Sequence, residues 1–209
     1  MPADKFSSEI KQVAKYLQEN NLEPAERLLL AMQDRWPNQA EVYNLAGVLN
    51  FKIGKYKQAA AAFSKYISIQ PGNVQVLNNL ALSYQQDQRI RLAKSTLQKA
   101  IKLDQANVDS YVNLMSIELT QNNNAGVIDI FHQVNKSSPD KIKCNVIAAA
   151  AYKNIGNRNE CRNLLKEYLN TFTGNIHALN NLANLEQEEG NFKEAKIIFE
   201  NLLSKNPDF

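Results

Sequence analysis

The chain has 209 residues and a formal net charge of +3, from 24 lysines and arginines against 21 aspartates and glutamates. This near-balance argues against a nucleic-acid-binding domain, which carries a clustered basic stripe. The 44% of hydrophobic residues excludes a disordered chain, and two cysteines cannot form a disulfide framework. The composition is unusual only in its 27 asparagines.

The N-terminal segment, residues 1–17, contains five charged side chains and therefore no apolar signal core. No stretch of the chain approaches the roughly 18 apolar residues of a membrane-spanning helix. We therefore expect a cytoplasmic protein that does not insert into membranes.

Four prolines share a spacing that is a multiple of 34 residues: Pro37, Pro71, Pro139 and Pro207. A fixed period in this range indicates a repeat array. Counting back from each multiple gives six repeats without insertions and leaves residues 1–5 as an N-terminal extension. The repeats are 6–39, 40–73, 74–107, 108–141, 142–175 and 176–209.

Each repeat has the pattern of two helices. In the second repeat, apolar residues recur at helical spacing from Ala40 to Ile53, and Gly54 closes that helix. A second helix is predicted from about Tyr56 to Ile69, because Pro71 prevents its continuation. Helix N-caps are expected at the junctions, at Asn38, Asn73, Asn107, Asp140 and Asn175.

Small residues recur at repeat positions 8 and 20, where the two helices must touch, and large ones at position 24. Position 8 is Val13, Gly47, Ala81, Met115, Ala149 and Ala183, and position 20 is Ala25, Ala59, Ala93, Val127, Cys161 and Ala195. Position 24 is Leu29, Phe63, Leu97, Phe131, Leu165 and Phe199. Truncating Phe63 or Phe199 to alanine should cost about 3–5 kcal/mol.

The second repeat resembles the tetratricopeptide repeat in Tyr43, Gly47, Ala59, Phe63 and Pro71. The resemblance covers nearly the whole chain. It implies an all-α fold, an α-solenoid of six helix-turn-helix units that form a right-handed superhelix. It also implies a concave groove, lined by the first helices, that holds an extended peptide or a partner helix.

The fourth repeat departs most from this pattern, because the segment from Gln121 to Gly126 is a poor start for a helix. It is either a tolerated degenerate repeat or a hinge between the third and fifth repeats.

Asparagine occupies six of the twelve places at positions 5 and 6, which face the implied groove. A carboxamide can pair with both N–H and C=O of a peptide backbone. The array is similar to the asparagine ladder in the repeat domain of O-linked N-acetylglucosamine transferase, although structural preference at position 6 or compositional bias also explains it. The candidate partner-binding residues are Asn44, Lys52, Gln75, Asn78, Asn79, Gln85, Asn113, Lys143, Asn180, Asn181 and Asn184.

The two-carboxylate clamp of chaperone-binding members matches here only at Asn113 and Lys143, so a chaperone-tail receptor is not expected. The groove charges are nearly balanced, which disfavours a strongly acidic ligand or nucleic acid.

No catalytic, cofactor-binding or metal-binding constellation is predicted. His132 and His177 lack partners at metal spacing, and Cys161 replaces a core alanine, as expected of a packed free thiol. The acidic run at Glu186, Glu188 and Glu189 is interpreted as a solvated helix end.

Two functions remain open. One is a non-catalytic scaffold that binds a peptide or partner protein in its groove. The other is the substrate-docking region of a larger transferase-type enzyme or an assembly complex. Arrays generally need a polar capping helix after the last repeat. None follows Phe209, so three explanations stay open: the chain continues in the natural protein, the last helix pair covers itself, or another domain or subunit packs there, including self-association through the C-terminal repeat.

Overall fold

The computed structural model describes residues 2–134 and 138–205. The chain divides into two compact blocks, Met1–Asp104 and Gln105–Phe209, here named the first and the second block. The described residues form twelve α-helices and one 3₁₀ helix, with no β-strand among them. The predicted all-α solenoid class is confirmed. Pro207 lies outside the described residues.

The first block contains six helices, each of which packs against the next. They are α1 (Pro2–Gln18), α2 (Leu22–Arg35), α3 (Ala40–Lys52), α4 (Tyr56–Ile69), α5 (Val74–Gln86) and α6 (Ile90–Leu103). The first helix begins at Pro2, so residues 2–5 are helical. Helices α3 and α4 match the bounds predicted for the second repeat closely.

The second block also contains six α-helices that pack in sequence. They are α7 (Val108–Thr120), α8 (Asn124–Gln133), α9 (Asn145–Asn154), α10 (Arg158–Thr171), α11 (Ile176–Glu188) and α12 (Phe192–Lys205). A 3₁₀ helix, Pro139–Cys144, precedes α9 and shortens the first α-helix of the fifth repeat. No helix within the described ranges is long and apolar enough to cross a membrane.

Every first helix is followed by a residue in the left-handed backbone region at repeat position 15. These residues are Asn20 (φ 57°), Gly54 (75°), Gln88 (62°), Asn122 (58°), Gly156 (82°) and Gly190 (81°). A positive φ reverses the chain so that the second helix can pack back on the first. Its recurrence in all six repeats confirms the period of 34 residues. Among these six residues, the sequence pattern had indicated this role for glycine, as at Gly54, and not for Asn20, Gln88 or Asn122.

Asparagine side chains cap three first helices as predicted. Asn73, Asn107 and Asn175 each accept a hydrogen bond from the backbone N–H three residues later, at 3.1, 3.1 and 2.9 Å. The prediction is wrong for Asn38, because Gln39 is the N-cap residue of α3 and its side chain makes no capping bond. It is also wrong for Asp140, which lies within the 3₁₀ helix.

Two further asparagines cap second helices. These two caps were not predicted from the sequence. Asn123 accepts from the backbone N–H of Gly126 at 3.2 Å, and Asn157 accepts from that of Glu160 at 3.2 Å. The segment expected to be a poor helix start therefore begins α8 with a side-chain cap.

The predicted alternation of small and large residues forms the core. All position-8 and position-20 residues are buried, including Gly47 and Cys161. A Cβ atom on Gly47 would lie 2.5 Å from the ring of Phe63, so only glycine allows α3 and α4 this approach. At position 24, Phe63 is buried, but Phe199 is only half-buried. The loss of about 3–5 kcal/mol expected for Phe199→Ala is therefore too large.

Glutamates occupy position 11 in two repeats of the second block, and both are buried. Glu118 accepts a hydrogen bond from Asn123 at 2.8 Å, and Glu186 accepts one from Asn191 at 2.6 Å. Arg162 Nε also donates to Glu186 at 2.7 Å. The interpretation of Glu186 as part of a solvated helix end is therefore wrong.

Candidate partner-binding site

Helices α3, α4 and α5 line an open cavity of about 140 Å³ in the first block. Its walls are mostly apolar, and we call it the apolar pocket. Its lining residues are Val48, Phe51, Lys52, Phe63, Asn79 and Leu82. Two of the predicted partner-binding residues, Lys52 and Asn79, are therefore brought together around an apolar space.

The repeat register explains how this pocket is built. Val48, Phe51 and Lys52 stand at positions 9, 12 and 13 of the second repeat, one turn apart on α3. Asn79 and Leu82 stand at positions 6 and 9 of the third repeat, on α5. The first helices of consecutive repeats thus contribute the walls, and the core of the second repeat closes the floor.

Helices α9, α10 and α11 line a second open cavity, of about 200 Å³, in the second block. Three carboxamides line it, and we call it the amide pocket. Its lining residues are Ala149, Ala150, Lys153, Asn154, Cys161, Leu165, Asn181 and Asn184. The predicted residues Asn181 and Asn184 lie here together.

The amide pocket occupies the same repeat positions as the apolar pocket. Ala150, Lys153 and Asn154 stand at positions 9, 12 and 13 of the fifth repeat, and Asn181 and Asn184 at positions 6 and 9 of the sixth. The fold therefore produces the same opening twice, with different side chains.

Two of the polar side chains that line the amide pocket already have partners within the protein. Lys153 Nζ forms an ion pair with Glu188 at 2.7 Å, and the Asn154 amide donates to Asn124 at 2.9 Å. The hydrogen bond from Lys153 holds the pKa of Glu188 below its ordinary value. Burial raises the pKa of Cys161, so this thiol remains protonated near neutral pH. The amides of Asn181 and Asn184 are therefore the polar groups of the pocket that a partner can use.

The remaining predicted residues differ in accessibility. Gln75 is exposed, and Asn44, Gln85, Asn113 and Asn180 are half-buried. Asn44 donates to Glu41 at 3.4 Å. Asn78 is only 2% exposed, so a ligand cannot reach its side chain in this structure.

Lys143 is exposed, but two carboxylates compensate its charge. Its ammonium lies 3.3 Å from Asp140 and 3.7 Å from Asp109. The hydrogen bond to Asp140 is the main reason why the pKa of Lys143 is raised. This lysine therefore adds little net attraction for an anionic partner.

The apolar walls of the first pocket were not predicted from the sequence. Val48 and Leu82 at position 9 and Phe51 at position 12 are half-buried. The available signal was an aromatic and two aliphatic residues on the same helical faces as the amides.

The model of the family named Intraflagellar transport protein 56 matches residues 13–207. The chain belongs to this family. A comparison with curated proteins found no match.

Solved structures show the same fold at low identity. PilF of Pseudomonas aeruginosa is 18% identical with a TM-score of 0.77, and the match covers 97% of this chain and 92% of PilF. A tetratricopeptide repeat protein of Parabacteroides merdae is 16% identical with a TM-score of 0.77, covering 96% and 80%. The Cut9–Hcn1 hetero-tetramer of the APC/C contains a chain 16% identical with a TM-score of 0.72, covering 97% and 40%. The tetratricopeptide assignment is confirmed.

Proposed function

We propose that this chain is a non-catalytic scaffold that binds an extended peptide or a segment of a partner protein along its first helices. The observation that carries the proposal is the construction of two pockets, of about 140 and 200 Å³, from the same repeat positions. A cavity of about 150 Å³ lined by aliphatic and aromatic residues holds benzene. Each pocket is therefore large enough for one partner side chain.

The amides suit a partner's main chain. Asn79 stands beside the apolar pocket, and Asn181 and Asn184 line the amide pocket. A carboxamide donates and accepts at once, so it can satisfy the N–H and C=O of an extended segment. Polar backbone recognition beside side-chain pockets is a common mode of peptide binding.

The charges favour a partner without a dense negative charge. Asp109 and Asp140 compensate Lys143, and Glu188 compensates Lys153. The site therefore has no clustered basic stripe among the described groove residues, so a protein partner is favoured over nucleic acid.

Family membership supports the scaffold over the transferase-docking alternative, because the family is named for a transport protein. Proteins that take part in intraflagellar transport are therefore the partners to test first. The hetero-tetramer of Cut9 and Hcn1 shows that a related fold enters protein assemblies.

The test begins with peptides selected on the full chain from a phage-displayed random library. The affinity of a selected peptide is measured by fluorescence anisotropy for wild type and for Asn181→Ala/Asn184→Ala. Each lost hydrogen bond costs about 1 kcal/mol, so the double variant should bind about ten-fold more weakly or worse.

The matched control is Asn163→Ala/Asn170→Ala, which changes two exposed asparagines of α10 outside both pockets. Its affinity should equal that of wild type. Equal affinity in both double variants, with unchanged circular dichroism, would remove the amides from the binding site. A Leu82→Lys variant separately tests the apolar pocket.

A further inference from the structure

Helix α12 presents a partly exposed face that is apolar at its ends and charged at its centre. Phe192 is 68% exposed and Leu203 is 50% exposed. Because residues of a helix advance by about 100° each, Phe192 and Leu203 lie on the same face of α12, together with four other residues. We call this face the α12 stripe: Phe192, Ala195, Lys196, Phe199, Glu200 and Leu203, which together with Gln187 line an open cavity of about 300 Å³.

In the second repeat the equivalent face is covered by a helix. On α4 of the first block, Phe63 and Ile67 stand at the positions of Phe199 and Leu203. They belong to one cluster with Val76 and Leu80 of α5. This face is therefore one that the fold uses to dock a helix, and on α12 its end residues remain exposed.

The centre of the α12 stripe differs from α4 in charge. Lys196 and Glu200 stand where α4 has Ala60 and Ser64. The two charged side chains form an i,i+4 pair at 3.7 Å and are 74% and 63% exposed. An exposed pair of this kind contributes little to stability within one chain, so both groups remain available to a partner.

The stripe is complementary to itself in an antiparallel arrangement. Around a two-fold axis at the level of Ile198, Lys196 of each copy lies opposite Glu200 of the other. In the same register Phe192 comes within about 1.5 Å of the axial level of Leu203 of the other copy. Opposite charges and apolar ends therefore meet at once.

The N-terminal helix does not offer a matching apolar face. At the positions where α5 contributes Val76 and Leu80, α1 carries Ser8 and Gln12, followed one turn later by Lys15. All three are exposed. Head-to-tail association through α1 would therefore bury polar side chains against the stripe.

We infer that the α12 stripe binds the α12 stripe of a second copy of this chain, antiparallel and about a two-fold axis. Such an isologous contact closes on itself and gives a dimer instead of a filament. One helix face is smaller than a standard interface of about 1,200–2,000 Å², so the dimer is weak and reversible.

The experiment is sedimentation velocity of the full chain from about 1 to about 300 μM, the range that suits a small interface. Wild type should shift from monomer to dimer as its concentration rises. Lys196→Glu and Glu200→Lys each place like charges opposite each other and should weaken the dimer about ten-fold or more. The combined Lys196→Glu/Glu200→Lys variant restores the opposite charges and should recover the dimer.

Two further variants separate the stripe from general hydrophobicity. Phe192→Ser should weaken the dimer about ten-fold. Ile197→Ser removes another large apolar side chain that is 58% exposed but lies outside the stripe, and it should have no effect. A wild type that stays monomeric throughout, or singly reversed charges that change nothing, would overturn the inference. The inference would also be overturned if the charge-swapped variant stayed monomeric although its circular dichroism was native.

Discussion

The apolar pocket of the first block and the amide pocket of the second block occupy the same repeat positions but present different chemistry. At positions 9 and 12 the apolar pocket has Val48 and Phe51, whereas the amide pocket has Ala150 and Lys153. The repeat register therefore determines where an opening forms. A few positions outside the core determine what the opening accepts.

The floors of the two pockets differ in a related way. Gly47 and Phe63 fill positions 8 and 24 of the second repeat, which holds the apolar pocket, while Ala149 and Leu165 fill them in the fifth repeat, which holds the amide pocket. A larger residue on one helix is matched by a smaller one on the other, because the interior is close-packed. The aromatic floor of the apolar pocket thus depends on the glycine opposite it.

The largest expected effect is on the aromatic floor. Phe63→Ala removes a buried ring and should lower the free energy of unfolding by about 3–5 kcal/mol, measured by urea denaturation. Leu165→Ala, at the same position in the second block, should cost somewhat less, about 2–4 kcal/mol.

Phe199→Ala provides the matched control, since it changes the same residue type at the same repeat position. Phe199 is half-buried, so its truncation should cost less than half as much as that of Phe63. Equal losses would show that burial at position 24 does not determine the contribution of the side chain.

The second effect concerns charge in the core, which distinguishes the two blocks. Position 11 is Tyr16, Asn50 or Tyr84 in the first block, but a buried glutamate twice in the second. Arg162→Met leaves Glu186 buried without its ion-pair partner. We expect a loss of about 3 kcal/mol at neutral pH, from thermal or urea denaturation.

The pH dependence of this loss identifies its cause. The hydrogen bond from Arg162 is the main reason why the pKa of Glu186 is lowered from 4.5. A lowered pKa contributes stability above 4.5, which is lost as pH falls through the folded-state pKa. The difference between wild type and Arg162→Met should therefore shrink below pH 4.5.

Arg158→Met serves as the control for Arg162→Met. Arg158 is also on α10, but it is 52% exposed and lies 3.9 Å from Glu189. Its replacement should change stability by less than about 0.5 kcal/mol. A pH-independent loss in Arg162→Met would instead assign the effect to lost packing of the arginine stem.

The sequence predicted the period, the paired helices and three of the asparagine caps because these features depend on local spacing. It did not reveal the pairing of Arg162 with Glu186, whose partners are 24 residues apart. Because Glu188 and Glu189 follow it, Glu186 was instead interpreted as part of a solvent-exposed acidic helix end. Long-range partners of this kind leave no local signal.

The candidate site was predictable in part for a similar reason. The excess of asparagine at positions 5 and 6 predicted binding residues there, and Asn79 and Asn181 do line pockets. Asn78 shares that pattern but is buried. Helical spacing defines a face, but the depth of each residue on that face depends on how the helices pack.

The smallest expected effect is at the turn that joins the helices of each repeat. Gln88 has φ 62° at the position where Gly54 has φ 75°. The left-handed region is strained for a residue with a side chain, whereas glycine adopts it freely. Gln88→Gly should therefore raise the free energy of unfolding by about 0.5–1 kcal/mol, measured by the urea midpoint.

The reciprocal change, Gly54→Gln, should lower stability by at least as much. Asn122→Gly gives an internal gradient, because asparagine tolerates the left-handed region better than glutamine and its replacement should gain less. A loss of stability in Gln88→Gly would contradict the explanation from backbone strain. It would mean that contacts of the glutamine side chain outweigh the conformational preference shared by all six turns.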